Sequence, residues 1–304
     1  MTLSEPIREQ PLPHICVCIC TYQRPAPLAR LLGELFHQPT SGLFTYSIVV
    51  ADNDSAQSAA SVVNETRDSA PVPIKYCVEP NQGIALARNK VVANAEGDFL
   101  AFIDDDEFPS QLWLLTLFNA CHEYKVDGVF GPVLGHFDQD PPAWVRPSGL
   151  YDRKINPTGT PVNWRSARTG NVFIKRSVVL DDAAPFNSKY IVGEDQDFFR
   201  RKIHAGFSFI WCAEAEVFEV VPPERIKRGY LIRRALQGGA IEPHVPTFGI
   251  RDVLKSVVAV PLYCLALPVA LLLGQHRFMR LAVRLSYHLG KLLGLFGFNI
   301  AVKL

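Results

Sequence analysis

The sequence predicts an α/β fold in which a mainly parallel, Rossmann-like sheet is flanked by helices. Short apolar runs alternate with segments whose apolar residues recur at helical spacing, as in βαβ units. Polar clusters follow three of these runs, at Thr21 to Arg24, Asp52 to Asp54 and Asp104 to Asp106. Because ligands bind at the carboxyl ends of parallel strands, we expect the three clusters to form one site.

The first half of the chain is predicted to contain five strands separated by four helices. The strands are HICVCIC, YSIVVADND, VPIKYCVE, GDFLAFI and VDGVFGPVL. The helices are RPAPLARLLGELF, SAQSAASVVNETRD with a serine cap, NQGIALARNKVVANA, and PSQLWLLTLFNACHEY with proline near its first turn. In the first helix one face carries Leu28, Leu31, Leu32, Leu35 and Phe36. In the third helix one side carries Ile84, Ala87, Val91 and Ala95.

The pattern changes near Asp138, where prolines, tryptophans and arginines replace the periodic segments. This stretch is too long for an ordinary connection, so we expect a lid or acceptor loop. Ordered elements are then predicted for NVFIKRSVV, for the helix GEDQDFFRRKIHAG and for the strand FSFIWC. A basic helix, PPERIKRGYLIRRALQGG, is predicted to end at Gly238 and Gly239.

Charge and cysteine content bear on the binding partners and the cellular compartment of the protein. The 31 lysines and arginines balance 30 acids among 304 residues, which indicates no nucleic-acid partner. Of the seven cysteines, Cys16, Cys18 and Cys20 alternate along one strand. We interpret them as small buried side chains of the core, with a metal or redox cluster as the alternative. No signal peptide is recognisable, so a reducing cytoplasm is expected for the globular part.

The segment FLAFIDDDEFP places four acids directly after a buried strand. Adjacent carboxylates repel one another and gain nothing from a hydrophobic core. A divalent cation such as Mg²⁺ or Mn²⁺ is the simplest reason to place them there. On an extended segment, Asp104 and Asp106 point to one side and Asp105 to the other. The alternative is an acidic turn that caps the next helix.

The order of motifs along the chain resembles that of family 2 glycosyltransferases, in the bacterial exopolysaccharide and cell-envelope branch. The matching segments are VCICTYQRPAPLARLL, VVADNDS, NQGIALARN, FIDDDEFP, TGNVFIKR and GEDQDFFRRKIHAG, between about Ile15 and Gly239. The resemblance implies a GT-A fold, a nucleotide-sugar donor, a divalent metal and inversion at the anomeric carbon. It favours UDP as the nucleotide.

The resemblance also implies roles for individual residues on the donor side. Asp106 would bind the metal, and Asp104 would join it or, like Asp105, reach the ribose or a metal-bound water. Asp52 would contact uracil, unless it forms an Asx-turn instead. Arg88 would lie near the nucleotide, unless it is a surface arginine paired with Glu96 or Asp98. Nucleotide-sugar binding is assigned to Thr21, Tyr22, Arg24, Asp52, Asn53, Gly83, Arg88, Asp104 and Asp105.

On the acceptor side, the resemblance implies that Asp195 is the catalytic base and that Glu194 orients an acceptor hydroxyl. The alternative is that both acids complement a helix dipole, as acids at helix N-termini commonly do. Family members supply a later histidine to the metal, whereas this chain offers Glu219 in AEVFEVVPPER. Glu219 would replace the histidine, or the metal would lack that ligand.

The implied organisation has four parts. Residues 1–13 form a flexible arm, 14–137 a nucleotide-sugar-binding half, 138–245 an acceptor and catalytic half, and 246–304 a membrane-associated tail. Two other functions remain open from the sequence. A sugar nucleotidyltransferase would need a glycine-rich phosphate loop, which TYQRPAP lacks. An inactive, transferase-like scaffold would not need the intact Asp106 and Asp195.

The tail predicts attachment to a membrane. Ser256 to Gly274 carry no charge over nineteen residues, which meets the lower limit for a membrane span. Pro261 and Pro268 interrupt it, and a basic amphipathic segment follows. A kinked span, a re-entrant helix or a surface helix are all compatible with this pattern, and a soluble core helix is the alternative. We expect an enzyme on the cytoplasmic membrane face with a glycan or lipid-linked acceptor.

Overall fold

The computed structural model describes residues 11–190, 193–244 and 248–297. Residues 1–10 of the predicted arm and 298–304 of the predicted tail lie outside the described residues. The chain forms two compact units. The sheet unit comprises residues up to 134 together with 153–219, and the helical unit comprises 135–152 together with 220 onward. The predicted lid after Asp138 is therefore divided between the two units.

The described residues contain ten strands, ten α-helices and three short 3₁₀ helices. The strands are β1 His14–Thr21, β2 Thr45–Asp52, β3 Ile74–Val78, β4 Phe99–Ile103, β5 Glu107–Pro109, β6 Gly128–Phe130, β7 Val133–His136, β8 Asn171–Lys175, β9 Phe209–Trp211 and β10 Val217–Val220. The α-helices are α1 Pro25–Leu35, α2 Ala60–Arg67, α3 Ile84–Asn94, α4 Trp113–Glu123, α5 Val145–Ser148, α6 Glu194–His204, α7 Pro223–Ile226, α8 Arg228–Ile241, α9 Ile250–Leu272 and α10 Gln275–Leu295. The 3₁₀ helices are Trp164–Ser166, Arg176–Val178 and Glu242–His244.

Seven strands form the main sheet in the order β3-β2-β1-β4-β8-β6-β9. The pairs β1–β2, β2–β3, β1–β4 and β6–β9 are parallel, whereas β8 runs antiparallel to both of its neighbours. The predicted mainly parallel sheet is thus confirmed. Thr21 lies opposite Asp52 in the β1–β2 register, so the ends of these two strands meet at one edge. Strands from both predicted halves join this sheet.

The two faces of β1 enter different hydrophobic clusters. Ile15, Val17 and Ile19 pack on the side that carries α1 and α4. Cys16 and Cys18 pack on the other side, among apolar side chains from α3 and α6. Both thiols are fully buried and unpaired, so the core interpretation of these cysteines is confirmed.

Several predicted boundaries are wrong, and long-range packing explains them. The single strand predicted for VDGVFGPVL is two strands, β6 and β7, which belong to different sheets. A Cβ at Gly131, between them, would lie 2.1 Å from the Ala215 carbonyl, so only glycine permits this path. The helix predicted from Pro109 begins at Trp113, because Pro109 pairs with Val217 in the small sheet β5-β10-β7.

Helix caps and the end of the basic helix also differ from prediction. The second helix begins at Ala60 without a serine cap, and the carboxylate of Asp52 accepts the Ala59 N–H instead. Ile84 is 38% exposed rather than packed on the face of α3. Gly238 and Gly239 lie inside α8 instead of ending it. A Cβ at Gly239 would lie 2.1 Å from the Tyr287 carbonyl, so this glycine permits close packing on α10.

One buried amide joins three parts of the sheet unit. Asn171 accepts a hydrogen bond from Trp113 Nε1 at 2.9 Å. Its Nδ2 donates to the Pro132 carbonyl at 2.9 Å and to the Ala215 carbonyl at 2.7 Å. Asn171 is 2% exposed, so water cannot replace these bonds if the amide is removed.

Asn171→Ala is therefore expected to lower the free energy of unfolding by about 3 kcal/mol, since buried groups left without partners cost about 1–3 kcal/mol each. Equilibrium urea unfolding of the detergent-solubilised protein measures this change. Asn64→Ala, on the exposed side of α2, is the matched control and should change stability by no more than about 0.5 kcal/mol. Equal losses in both variants would contradict the account.

Candidate functional site

The acidic segment after β4 forms a tight turn rather than an extended strand. The Glu107 N–H donates to the Asp104 carbonyl at 3.1 Å, and the Asp104 N–H donates to Glu107 Oε2 at 3.1 Å. The predicted alternation, with Asp104 and Asp106 on one side and Asp105 on the other, is therefore wrong. The turn gathers four carboxylates at the edge of the sheet.

Arg24 pairs with two of these carboxylates. Its Nη1 lies 2.9 Å from Asp105 Oδ1 and 3.1 Å from Asp106 Oδ2. Thr21, at the end of β1, donates its hydroxyl proton to Asp105 Oδ2 at 2.7 Å. The first and third predicted clusters therefore meet, and Tyr22 lies beside them with 36% of its surface exposed. Asp105 is buried, and its two oxygens are engaged by Thr21 and Arg24.

Burial and charge repulsion act together on the other acids of the turn. Burial raises the pKa of Asp104 to about 6; the Arg88 guanidinium opposes this rise, and the carboxylates of Asp106, Asp105 and Glu219 add to it. Burial also raises the pKa of Glu107 well above its usual range, and the charge of Asp104 adds to the effect. Both acids therefore keep their protons to a higher pH than ordinary carboxyl groups do.

Gly170, just before β8, brings the backbone against this acidic turn. A Cβ at Gly170 would lie 2.9 Å from Glu107 Oε1 and 3.2 Å from Asp104 Oδ2. The adjacent Thr169 has a buried hydroxyl that finds no hydrogen-bond partner among the described residues. A close backbone and an unpartnered hydroxyl are features of a site that is completed by a ligand.

The second predicted cluster, Asp52 to Asp54, is held by hydrogen bonds within the protein. Asp52 is fully buried, and its carboxylate accepts hydrogen bonds from Asp54 N, Ala59 N and the Tyr76 hydroxyl. The Asp54 contact, at 3.0 Å, is the Asx-turn that the sequence left open as the alternative. A base contact by Asp52 stays a prediction.

Asn53 connects the end of β2 to the loop before α3. Its Nδ2 donates to the carbonyls of Glu79 and Asn81, and its Oδ1 accepts the Gly83 N–H at 2.8 Å. Gly83 then precedes the first residue of α3. Asn53 and Gly83 therefore shape the entry to α3, and their predicted contact with the nucleotide sugar stays a prediction.

Arg88, on α3, is buried and forms an ion pair with Glu194 at the start of α6. The alternative of a surface arginine paired with Glu96 or Asp98 is therefore wrong. Burial lowers the pKa of this guanidinium, but the carboxylates of Asp104, Glu194 and Asp195 outweigh burial and raise it. Arg88 thus lies between the acidic turn and the predicted catalytic acids.

A second connection holds α3 to the chain before α6. Asn89 donates to the Phe186 carbonyl at 2.8 Å and accepts the Phe186 N–H at 2.9 Å. The Arg88 guanidinium carbon lies 5.8 Å from the centre of the Phe186 ring. The residues ahead of the predicted catalytic helix are thus anchored to the donor side of the sheet.

Asp195, the predicted base, is 8% exposed in the first turn of α6. Its Oδ1 accepts the Gln196 N–H at 2.7 Å, and its Oδ2 lies 4.0 Å from Arg168 Nε. Burial raises the pKa of Glu194, and Arg88 opposes the rise. The helix-dipole alternative describes the position of both acids, but it leaves their convergence on Arg88 unexplained.

Glu219 lies opposite Glu107 in the antiparallel pair β10–β5 and forms an ion pair with Arg153. Its charge contributes to the raised pKa of Asp104 and of Glu107. The structure therefore brings Glu219 near the acidic turn, as the prediction requires. Its role as a metal ligand stays a prediction.

The donor set fits a divalent cation that is shared with a substrate. Among the described residues, no group of three or more Asp, Glu, His or Cys side chains is arranged to hold an ion alone. Mg²⁺ is commonly held by one or two carboxylates together with substrate phosphates and several waters, and its ligands are oxygens. Asp104 and Asp106, which are half-buried in the turn, supply such oxygens.

Several residues of this site were not predicted from the sequence. Glu107 belongs to the acidic turn, and Gly170 precedes β8 and lies against it, next to Thr169. Arg168 lies near Asp195 on α6, and Asn89 holds the chain before α6. In the sequence, TGN is only part of a family motif, and Glu107 is only a neighbour of the aspartates. A glycine and a threonine next to a strand gave no chemical signal of their own.

The chain is similar in sequence to known proteins. The family model described as Glycosyl transferase family 2 matches residues 16–191. The succinoglycan biosynthesis protein ExoM of Rhizobium meliloti (strain 1021) is 31% identical over 295 residues, 93% of each chain.

Two solved structures share the fold over nearly the whole chain. The mannosyltransferase PcManGT from Pyrobaculum calidifontis, in complex with GDP-Man and Mn²⁺, has a TM-score of 0.60 at 18% identity, covering 97% of this chain and 92% of that one. S. aureus TarS 1-349, in complex with UDP, has a TM-score of 0.53 at 15% identity, covering 95% and 93%. The predicted GT-A type fold is confirmed.

The raised pKa of Asp104 predicts that the free energy of unfolding of the metal-free protein depends on pH. Between its ordinary pKa of 3.8 and about 6, the folded protein keeps a proton that the unfolded chain releases. The free energy of unfolding therefore falls as pH rises through this window, and the loss is complete above it. Asp104→Asn should melt a few degrees higher than the wild type at neutral pH in EDTA, and this difference should shrink toward acid pH.

Thermal melting monitored by circular dichroism at several pH values measures the difference. Asp127→Asn is the control with the opposite sign, because hydrogen bonds from Ser208 outweigh burial and lower the pKa of Asp127. That variant should melt lower than the wild type at neutral pH. A lower melting temperature for Asp104→Asn at neutral pH would contradict the assignment of repulsion to Asp104.

Proposed function

Because the chain belongs to the family 2 glycosyltransferases, we propose that it moves a sugar from a UDP-sugar to a hydroxyl of a glycan or lipid-linked acceptor, with inversion at the anomeric carbon. We place this reaction in exopolysaccharide assembly, since ExoM, which this chain resembles over most of its length, is a succinoglycan biosynthesis protein. The transferase family replaces the nucleotidyltransferase alternative.

One observation carries the proposal. The buried Arg88 guanidinium pairs with Glu194 and is surrounded by the charges of Asp104 and Asp195. Burial of an unpaired guanidinium costs several kcal/mol, so these carboxylates must stay close to it. The acids proposed for the donor diphosphate and the acid proposed as base are thereby held in one arrangement.

On the donor side, we assign the base and ribose to the residues after β1 and β2, namely Tyr22, Asp52 and Asn53. We assign Asp105, which Thr21 and Arg24 hold, to the ribose. Arg24 Nη1 lies 3.1 Å from Asp106 Oδ2. It is half exposed, so it is available to a phosphate oxygen as well.

The metal assignment follows from the donor set. Mn²⁺ or Mg²⁺ would be held by Asp106 and Asp104, with Glu219 near them, and would neutralise negative charge on the leaving diphosphate. The raised pKa of Asp104 is the expected state of such a carboxyl before a cation binds. Gly170 keeps the space beside Asp104 and Glu107 open.

On the acceptor side, Asp195 takes the proton of the attacking hydroxyl as the new glycosidic bond forms. Its Oδ1 is oriented by the Gln196 N–H, which leaves Oδ2 for the hydroxyl. Glu194 is engaged by Arg88, so we assign it the orientation of Asp195 and of the acceptor, and not the removal of the proton.

The helical unit supports a membrane location. Among the described residues, one helix, Ile250–Leu272, is long and apolar enough to cross a membrane, and only 11% of its most apolar window is buried. We propose that this unit attaches the enzyme to membrane lipid, with the site on the cytoplasmic face. A lipid-linked acceptor would then be presented at the same surface.

Asp195→Asn is expected to lose transfer and keep donor binding, because it removes the proton acceptor and leaves the donor side intact. Calorimetric titration with UDP, with and without Mn²⁺, measures binding, and release of UDP from a panel of UDP-sugars measures turnover. Turnover should fall on the order of 10²–10⁴-fold. The matched control is Asp181→Asn, the same substitution at an exposed acid.

Asp106→Asn provides the complementary result, since it should abolish the Mn²⁺-dependent part of UDP binding. Retained turnover in Asp195→Asn would disprove the role of the base. If UDP does not bind with either metal, GDP and dTDP are tested next. Failure of all three nucleotides would refute the transferase proposal and favour the inactive scaffold.

A further inference from the structure

The apolar surface of α9 is the largest feature of the helical unit that sugar transfer does not explain. The outward side chains recur at helical spacing along the whole helix, and several large ones are more than half exposed. They are Leu254, Val257, Val258, Leu262, Leu265, Val269, Leu271, Leu272 and Leu273. Contiguous apolar surface of this kind is rare on soluble monomers and marks a binding surface.

The opposite side of α9 packs on α10, and the two helices form an antiparallel hairpin. Gly274 lies between them, and the Ser256 hydroxyl lies 3.0 Å from His288 Nδ1. The rings of Tyr263 and His288 have centroids 5.8 Å apart. Most of α9 is therefore side by side with α10, and neither helix can enter a bilayer without the other.

α10 is in turn locked to α8 and α5. Cβ atoms at Gly290 and Gly294 would lie 2.1 Å and 2.4 Å from the carbonyls of Leu236 and Ala240, so the backbones of α8 and α10 touch. Arg280 donates to the Ser148 carbonyl at 2.7 Å and to the Pro147 carbonyl at 3.0 Å.

This packing is incompatible with a membrane-spanning α9. A span would carry the charged side chains of α10, and the α5 carbonyls bound by Arg280, into the hydrocarbon core. Arginine and lysine at the centre of a bilayer are costly. Lys291, which is buried and paired with Glu242, would be carried to membrane depth as well.

The outward prolines lead to the same conclusion. Pro261 and Pro268 are on the exposed side of α9. Each lacks an N–H, so the carbonyls one turn earlier, at Val257 and Cys264, lose their helical partners on that side. At the centre of a bilayer such carbonyls would have no partner, whereas water reaches them at the headgroup boundary.

The charge of the hairpin identifies the surface that covers it. Residues 248–297 contain six lysines and arginines and one acid, Asp252. Five of the six cations are exposed; Arg280 is bound to the α5 carbonyls, and the other four are Arg251, Lys255, Arg277 and Arg284. Exposed cations beside an apolar helix face complement a surface of anionic lipid headgroups.

We propose that α9 lies in the plane of the membrane, with its outward face in one leaflet and its exposed cations among anionic headgroups, and does not span the bilayer. This inference deepens the membrane location in the proposed function, and it replaces the kinked span and the re-entrant helix. The helical unit then rests on the leaflet that would carry a lipid-linked acceptor.

Depth measurements test the proposal directly. Single cysteines replace Leu254, Leu265 and Leu272 in a Cys264→Ser background, and each carries a fluorescent label. The full chain binds vesicles of three parts phosphatidylcholine to one part phosphatidylglycerol, and lipids with quenchers at known depths report position. All three labels should show one shallow depth of about 5–10 Å. Leu180→Cys, an exposed leucine of the sheet unit, should remain in water.

Three outcomes would overturn the proposal. A deep label at position 265 with shallow labels at 254 and 272 would establish a span. Labels as wet as position 180 would exclude lipid as the occupant. Labels that are already shielded without vesicles would indicate a second copy of the chain on this face.

Vesicle flotation adds a matched pair of variants. Leu265→Glu should lower the vesicle-bound fraction about tenfold, since it removes one leucine that would be buried in lipid and adds a charge to the lipid-facing side. Leu180→Glu should leave it unchanged, and equal behaviour of the two variants would overturn the proposal. UDP binding by Leu265→Glu in detergent should match the wild type, so failure of the lipid proposal is separable from failure of the transferase proposal.

Discussion

The arrangement of the site depends on one buried cation. Arg88 is 8% exposed, and a guanidinium at that depth is tolerated only when carboxylates compensate for lost hydration. Glu194 forms the direct pair, and the charges of Asp104 and Asp195 add to it. Because Arg88 lies on α3 and Glu194 begins α6, one interaction sets the distance between the two sides of the site. The hydrogen bonds between Asn89 and Phe186 add a second constraint, between α3 and the chain that precedes α6.

The acidic turn has the opposite electrostatic character. Its carboxylates outnumber the arginines that contact them, and burial together with this repulsion raises the pKa of Asp104 and that of Glu107. A protein selected for stability alone would not keep this repulsion beside a hydrophobic strand. Strain of this kind is expected where a ligand supplies the missing positive charge. The buried guanidinium and the acidic turn together give the site its polarity, with surplus negative charge on the donor side.

Local patterns in the sequence were enough to predict β1, β2, β4 and α6. Each is a short apolar run or a helix with periodic apolar residues, and their polar ends meet because the sheet is parallel. The split between β6 and β7 could not be predicted, since it depends on Ala215 approaching Gly131 from far along the chain. Gly238 and Gly239 indicated a helix end by local rules, but packing on α10 overrides that preference.

Sequence patterns predicted the site, like the fold, only in part. Asp104, Asp106 and Asp195 were predicted from motifs, and the structure gathers the charges of Asp104 and Asp195 around Arg88. The partner of Arg88 could not be predicted, because Glu194 is 106 positions away and nearer acids offered a simpler pair. Glu107 and Gly170 were missed because their significance is geometric: one folds back onto the Asp104 N–H, and the other leaves space for it.

We propose that Arg88 acts through Glu194 to position the catalytic base, Asp195. A double-mutant cycle on turnover, with Arg88→Met, Glu194→Gln and the double variant, tests it most directly. If the pair acts as a unit, each single variant lowers turnover and the double variant is no worse than either one, while UDP binding changes little. If instead the two losses multiply, and Arg88→Met alone weakens UDP binding, Arg88 contacts the nucleotide itself and the claim is contradicted.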